Sequence, residues 1–191
     1  MSKTADPAHA IDKRALRTRN LLAQALMDLG AAQDVDTLEV GALAAQAGIG
    51  RSTFYEHFAS KDDFLIRSFV NMLNATEAAF AAKYPERADL LPSQALFQHV
   101  HEAQDFAVQM ARAAIFPRQM AAGEATLRAI VETNLARLKP DWALERRRET
   151  AVYVAAGFIG LLRWWMQSGL KQTPERMQEA FARLSESAMA A

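Results

Sequence analysis

The sequence predicts an all-α fold. Apolar residues recur at helical spacing along nearly the whole chain, no alternating strand pattern of useful length interrupts them, and glycine, proline and hydroxyl residues fall where successive helices would start or stop.

The elements follow in order. Segment 11–31 sets Ile11, Leu22, Ala25, Leu26 and Leu29 at helical spacing, with Gly30 as its expected stop. A polar break, Gln33-Asp34-Val35-Asp36, follows. One short helix is expected over 39–46, ending at Gly48, and a second over 51–57. Ser60 caps a longer helix to residue 82, with Asp62 and Asp63 in the first turn, where the helix dipole favours acids. Tyr84-Pro85 to Leu91-Pro92 breaks the pattern and reads as an irregular connection. Helices are then expected at 93–114, 117–138, 145–168 and 174–189. Pro117 and Pro174 suit first-turn positions, Thr173 suits the N-cap before Pro174, and Gly169 suits the end of the preceding helix. No internal repeat occurs.

Composition narrows the function. The chain has 191 residues, 51% hydrophobic and 23% charged, as ordinary globular proteins do, and a sizeable core is possible at that length. It has no cysteine, which excludes disulfides, thiolate zinc sites and cysteine nucleophiles. No apolar run approaches the ~18–20 residues of a membrane span, and the polar opening Met1 to Ala10 lacks an apolar signal core, so neither a membrane nor export is expected and the cytoplasm is the expected location. Zero formal net charge argues against a protein that coats nucleic acid over its whole surface, but says little about a small docking patch. Lys13, Arg14, Arg17 and Arg19 do cluster, either as a solvated helix face or as part of such a patch.

The informative stretch runs from Leu43 to Leu65. Gly48 can take the positive φ of a tight turn between two short helices, and the small Ala44 and Ala47 let those helices approach. Leu43, Ile49, Phe54 and Phe58 supply the apolar contacts that fix their angle. Arg51, Ser52, Thr53 and Tyr55 are left on the second helix as a polar set facing water or a polar partner. That arrangement suits a helix-turn-helix whose second helix enters the DNA major groove. Arg51 can bond guanine O6 and N7, the hydroxyls of Ser52 and Thr53 can reach bases or phosphates, and Tyr55, His57 and Lys61 can hold phosphates.

The string Ala47-Gly48-Ile49-Gly50-Arg51-Ser52-Thr53-Phe54-Tyr55-Glu56-His57-Phe58, with Lys61, resembles the signature of the TetR/AcrR family of transcriptional regulators, and the likeness covers residues 11–65. The resemblance implies a three-helix DNA-binding domain at 11–65, a fourth helix continuing to about 82, and a helical ligand-binding and dimerisation domain at 83–191. It also implies that the start of the first helix, with Arg17, approaches phosphate, and that the protein is a repressor released by a small molecule. Two positions depart from the pattern. Gly50 stands where the family usually has a serine N-cap, and Glu39 and Gly41 stand where it often has a hydroxyl and a polar or basic residue. Less DNA contact is therefore expected from the first short helix, with Thr37 as a substitute cap.

The second half is less specific. Small residues in helix 145–168 permit close packing. By the resemblance, a dimer interface would draw on Ala156, Ile159, Gly160, Arg163, Phe181 and Leu184. A pocket for an unknown small molecule would lie between the middle helices, with Phe97, His101, Phe106, Met110, Phe116, Met120 and Tyr153 as its candidate lining, although aromatics and Met at helical spacing also suit a core. His99, His101 and Asp105 make a weak metal case, and ordinary hydrogen-bonding roles suit them better. No nucleophile–base spacing, phosphate loop or metal-ligand run supports an enzyme, and no metal or cofactor is implied. The expected partners are a palindromic DNA operator, a second copy of the chain and a small ligand. An activator or adaptor of the same fold, and a helical enzyme or carrier, remain the alternatives.

Overall fold

The computed structural model describes residues 7–190, and side chains over 13–186. The polar opening at 1–6 and the Ile11 side chain lie outside what is described. The described residues form helices α1 (Pro7–Ala32), α2 (Val40–Gln46), α3 (Arg51–His57), α4 (Lys61–Lys83), α5 (Ser93–Glu102), α6 (Gln104–Met110), α7 (Phe116–Leu138), α8 (Leu144–Gln167) and α9 (Pro174–Ala190), with a single 3₁₀ turn at Val35–Thr37 and no strand. Among them, no helix is long and apolar enough to cross a membrane.

Helices α1–α3 form a small N-terminal unit. Leu22, Ala25 and Leu26 of α1, Val35, Leu38, Leu43 of α2 and Phe54 of α3 are all buried in it. The rings of Phe54, Phe58 and Phe64 meet at 4.9–5.6 Å between centroids, which ties α3 to the start of α4. The larger unit packs α7 on α8, α4 on α7, and α9 on both α5 and α8. Trp165 is fully buried there against Phe97, and its indole N–H donates to the Gln172 carbonyl at 3.0 Å.

Several terminators act as the sequence suggests. Ser60 caps α4: its hydroxyl accepts from the Asp63 N–H at 3.1 Å while the Asp63 carboxylate accepts from the Ala59 N–H at 3.0 Å. The Thr173 hydroxyl accepts from the Arg176 N–H at 3.3 Å at the start of α9. The Glu175 carboxyl beside it is held below its usual range by the hydrogen bond from its own backbone N–H, then by Thr173. Gly169, at φ +78°, ends α8. The connection from Tyr84 to Pro92 is irregular but anchored. Buried Arg87 pairs with Glu77 and donates to Asn134 at 3.3 Å, and the Asn134 amide donates to the Leu90 carbonyl at 3.0 Å.

Three expectations need correction. Gly30 does not stop α1, which runs on to Ala32. Instead it lets α6 come close, since a Cβ there would lie 2.7 Å from the Phe106 ring. The expected helix 93–114 is broken at Ala103, whose φ of −105° and ψ of 30° turn the chain so that α6 leaves α5 and packs on α1. No proline or glycine marks that break, so the sequence carries no local sign of it. Thr37 does not cap α2. Its hydroxyl donates to the Asp34 carbonyl at 2.8 Å within the 3₁₀ turn, and Glu39 occupies the N-cap without a side-chain bond.

Candidate nucleic-acid interface

The turn between α2 and α3 is built from backbone. Gly48 takes φ +66°, and the Gly48 and Ile49 N–H groups donate to the carbonyls of Ala45 at 3.1 Å and Ala44 at 2.9 Å. Gly50 sits at the N-cap of α3 in extended backbone with no side-chain bond. The first amides of α3 therefore keep no side-chain acceptor and stay open to an anionic oxygen. Buried Phe54 fixes the inner face of α3, and Arg51, Ser52, Tyr55 and Glu56 stand exposed on the other side, with Thr53 and His57 half-buried. The opposite end of α3 is held by a residue that the sequence reading missed. Arg67 of α4 donates to the His57 carbonyl at 3.0 Å, lies 5.1 Å over the Phe58 ring, and pairs with Asp63 at 3.4 Å. The spacing of Asp63 and Arg67 on one helix was the available signal.

Lys61 is placed differently from the expected phosphate clamp. Its ammonium donates to the carbonyls of Val35 at 3.1 Å and Asp36 at 2.7 Å, so two of its three donors tie α4 to the 3₁₀ turn. Gly41 lies beneath the Arg51 stem, where a Cβ would come within 4.0 Å of Arg51 Cδ. Lys13, Arg14 and Arg17 are exposed on α1, whereas Arg19 is half-buried and its Nε faces inward without a hydrogen-bond partner. Among these helices the exposed positive charge is on Lys13, Arg14 and Arg17 of α1 and Arg51 of α3, and the exposed Glu39 and Glu56 carry the opposite charge.

One bond joins the N-terminal unit to the larger one: the Asp36 carboxylate accepts from the Ala114 N–H at 2.9 Å. At the start of α4, Arg118 of α7 pairs with Asp62 at 2.9 Å, and buried Gln119 donates to the Leu65 carbonyl at 3.1 Å. A cavity of about 840 Å³ opens beside this junction, walled by α1, α4, α5 and α6. Phe106 and Met110 line it, while Phe97, Phe116 and Met120 are buried in the core outside its lining. His101 stacks on Trp165 at 6.1 Å, with Nδ1 buried and unpartnered, and Tyr153 is exposed on α8. Among the described residues no three His, Asp or Glu side chains gather as a group that could hold a metal.

The residues considered for dimerisation divide by burial. Ala156 and Arg163 are exposed on α8, Gly160 is half-exposed, and Leu184 is exposed on α9. Ile159 and Phe181 are buried inside the subunit, Phe181 against Phe158 at 5.3 Å. Val152, Tyr153 and Trp164 extend the exposed face of α8, which the sequence reading did not single out beyond Tyr153.

Known proteins match this architecture in both halves. Residues 22–67 match the model for bacterial regulatory proteins of the tetR family, and residues 93–187 match that for a transcriptional regulator C-terminal region. The uncharacterized HTH-type transcriptional regulator YxbF of Bacillus subtilis (strain 168) is 38% identical over 56 residues, which are 29% of this chain and 15% of that relative's length. A structure described as a TetR-family transcriptional regulator from Syntrophomonas wolfei superposes with a TM-score of 0.69 at 16% identity, over 91% of this chain and 95% of that one. Thermus thermophilus FadR, a TetR-family transcriptional repressor solved with lauroyl-CoA, gives a TM-score of 0.61 at 18% identity, over 90% and 94% of the two chains. The helix-turn-helix geometry and the two family matches, one in each half, lead to one conclusion: the chain belongs to the TetR family of bacterial transcriptional regulators.

Proposed function

We propose that this regulator acts in the cytoplasm as a homodimer whose two α3 helices read a near-palindromic operator from the major groove, and that it represses transcription until a small molecule releases it. The observation that carries the reading is the exposed set Arg51, Ser52 and Tyr55 on a helix clamped from behind by Phe54 and Arg67. A fixed helix with an outward polar face presents base-reading groups without ordering them at the moment of docking. In this reading residues 11–65 form the DNA-binding domain, α4 carries its motion onward, and 83–191 serve ligand and dimer. The exposed apolar side chains Val152, Tyr153 and Trp164 on α8, with Leu184 on α9, support a self-complementary interface there. No catalytic role is assigned. Repression by a ligand-binding relative, the Thermus thermophilus repressor, supports the sign of regulation.

A mobility shift on the DNA flanking its own gene, repeated across a salt series, tests the proposal. Binding to a near-palindrome with half-sites about one helical turn apart, or somewhat more, and with affinity falling steeply as salt rises, is the expected result. Absence of any salt-sensitive complex, or reporter output that falls when the gene is deleted, would overturn DNA binding or repression respectively.

A further inference from the structure

We infer that the cavity between α1 and α4–α6 is the effector site of this regulator and that it takes a small molecule with an apolar body and one anionic head, held by Arg19. The inference rests on the reading of the chain as a ligand-released regulator and names the ligand class and its place. The cavity, at about 840 Å³, lies within the size range of pockets that enclose small ligands. Its walls are largely apolar, with Leu26, Met27, Leu65, Met72, Val100 and Phe106 among them. Arg19 reaches it from α1, and its Nε is buried with no hydrogen-bond partner. A buried donor left without an acceptor is destabilising, and an arginine is the side chain best suited to grip a carboxylate or phosphate head in a fork. The acid in the lining, Glu102, is exposed and accepts from Gln98 at 3.2 Å, so its charge is screened by water. Other polar groups in the wall, Asn20, Ser68 and Thr76, are neutral and do not compete with Arg19 for the anion.

The position couples the site to DNA. The α1 wall of the cavity belongs to the helix that packs on α2, and Gly30 at the end of α1 is in close contact with Phe106 of the opposite wall. A ligand seated between these walls therefore acts on α1 directly, and the free energy it exchanges with DNA binding is reciprocal.

The test uses the full chain with three fully dissolved probes: dodecanoate and dodecyl phosphate below their micelle concentrations, and the uncharged 1-dodecanol below its solubility limit. Titration calorimetry is expected to show saturable binding of at least one anion, at least about tenfold tighter than the alcohol, and an Arg19→Gln loss of about tenfold or more that Arg19→Lys partly restores. The two anions tell a carboxylate-bearing ligand from a phosphate-bearing one. The bound anion is also expected to weaken the DNA complex about 5- to 150-fold in a mobility shift. Equal binding of alcohol and anions, no binding of any, or affinity unchanged in a folded Arg19→Gln protein would overturn the inference. The native protein's choice between anion and alcohol decides even if Arg19→Gln fails to fold. Ligand failure with salt-sensitive DNA binding intact sinks this inference alone. Anion binding by a protein that never binds DNA sinks the functional reading instead.

Discussion

Replacing Gly123 with alanine should destabilise the protein, although glycine-to-alanine changes inside helices ordinarily do the opposite. The helix preference for alanine over glycine favours the variant by about 0.5–1 kcal/mol. Against it stands the packing of α7. A Cβ at Gly123 would lie 2.4 Å from Phe69 Cε1 and 3.3 Å from Ile159 Cδ1, both on buried side chains. Inserting a methyl into such a contact typically costs about 1–3 kcal/mol. Phe69 also lines the cavity and can give way on that side, which keeps the cost near the lower half of that range. Set against the helix preference, that leaves a net loss of up to about 1.5 kcal/mol, which in a chain of this length is a fall of up to a few degrees in Tm. Urea unfolding at fixed protein concentration measures it, with Gly41→Ala as the control because a Cβ there meets its nearest neighbour at an ordinary 4.0 Å. A Gly123→Ala protein more stable than wild type would refute the claim that α4 and α7 are packed this closely.

Other outcomes follow from the same contacts. Lys61→Met should lower stability by about 1–2 kcal/mol, since two carbonyls lose a charged donor, yet leave the salt dependence of DNA binding nearly unchanged, whereas Arg17→Gln should reduce that salt slope by about one. Gly50→Ser should raise stability by a few tenths of a kcal/mol, read as a slight rise in Tm, because the N-cap backbone is already extended and a Cβ there stands 3.5 Å from Ser52 Oγ, an ordinary contact. Trp164→Glu, at an exposed site on α8, should shift sedimentation from dimer to monomer without changing the far-ultraviolet circular dichroism of the protein.

The parts of the fold readable in the sequence are those set by neighbours along the chain. The positive φ at Gly48, the Ser60 cap and the Phe54 and Phe58 contacts all lie within a few residues of the chemistry that requires them. What stayed hidden depends on distant segments. Lys61 carries the donor chemistry of a phosphate clamp, and only the fold reveals that carbonyls 25 and 26 residues away already occupy it. The Asp36 bond to the Ala114 N–H joins residues 78 apart. The cavity drew Phe106 and Met110 from the expected aromatic and Met set but took its other wall from α1, a helix that the family resemblance placed in the DNA-binding domain. The kink at Ala103 that makes this possible has no breaker residue to announce it.

The central claim is that Arg51 on α3 reads DNA bases. Selection from a random duplex library with the purified chain, followed by the same selection with Arg51→Ala, tests it most directly. The account predicts a near-palindromic motif for the native protein, and for the variant a loss of about 1–3 kcal/mol with preference relaxed at one base pair per half-site. An unchanged motif and affinity in the variant, or no motif from the native protein, would contradict it.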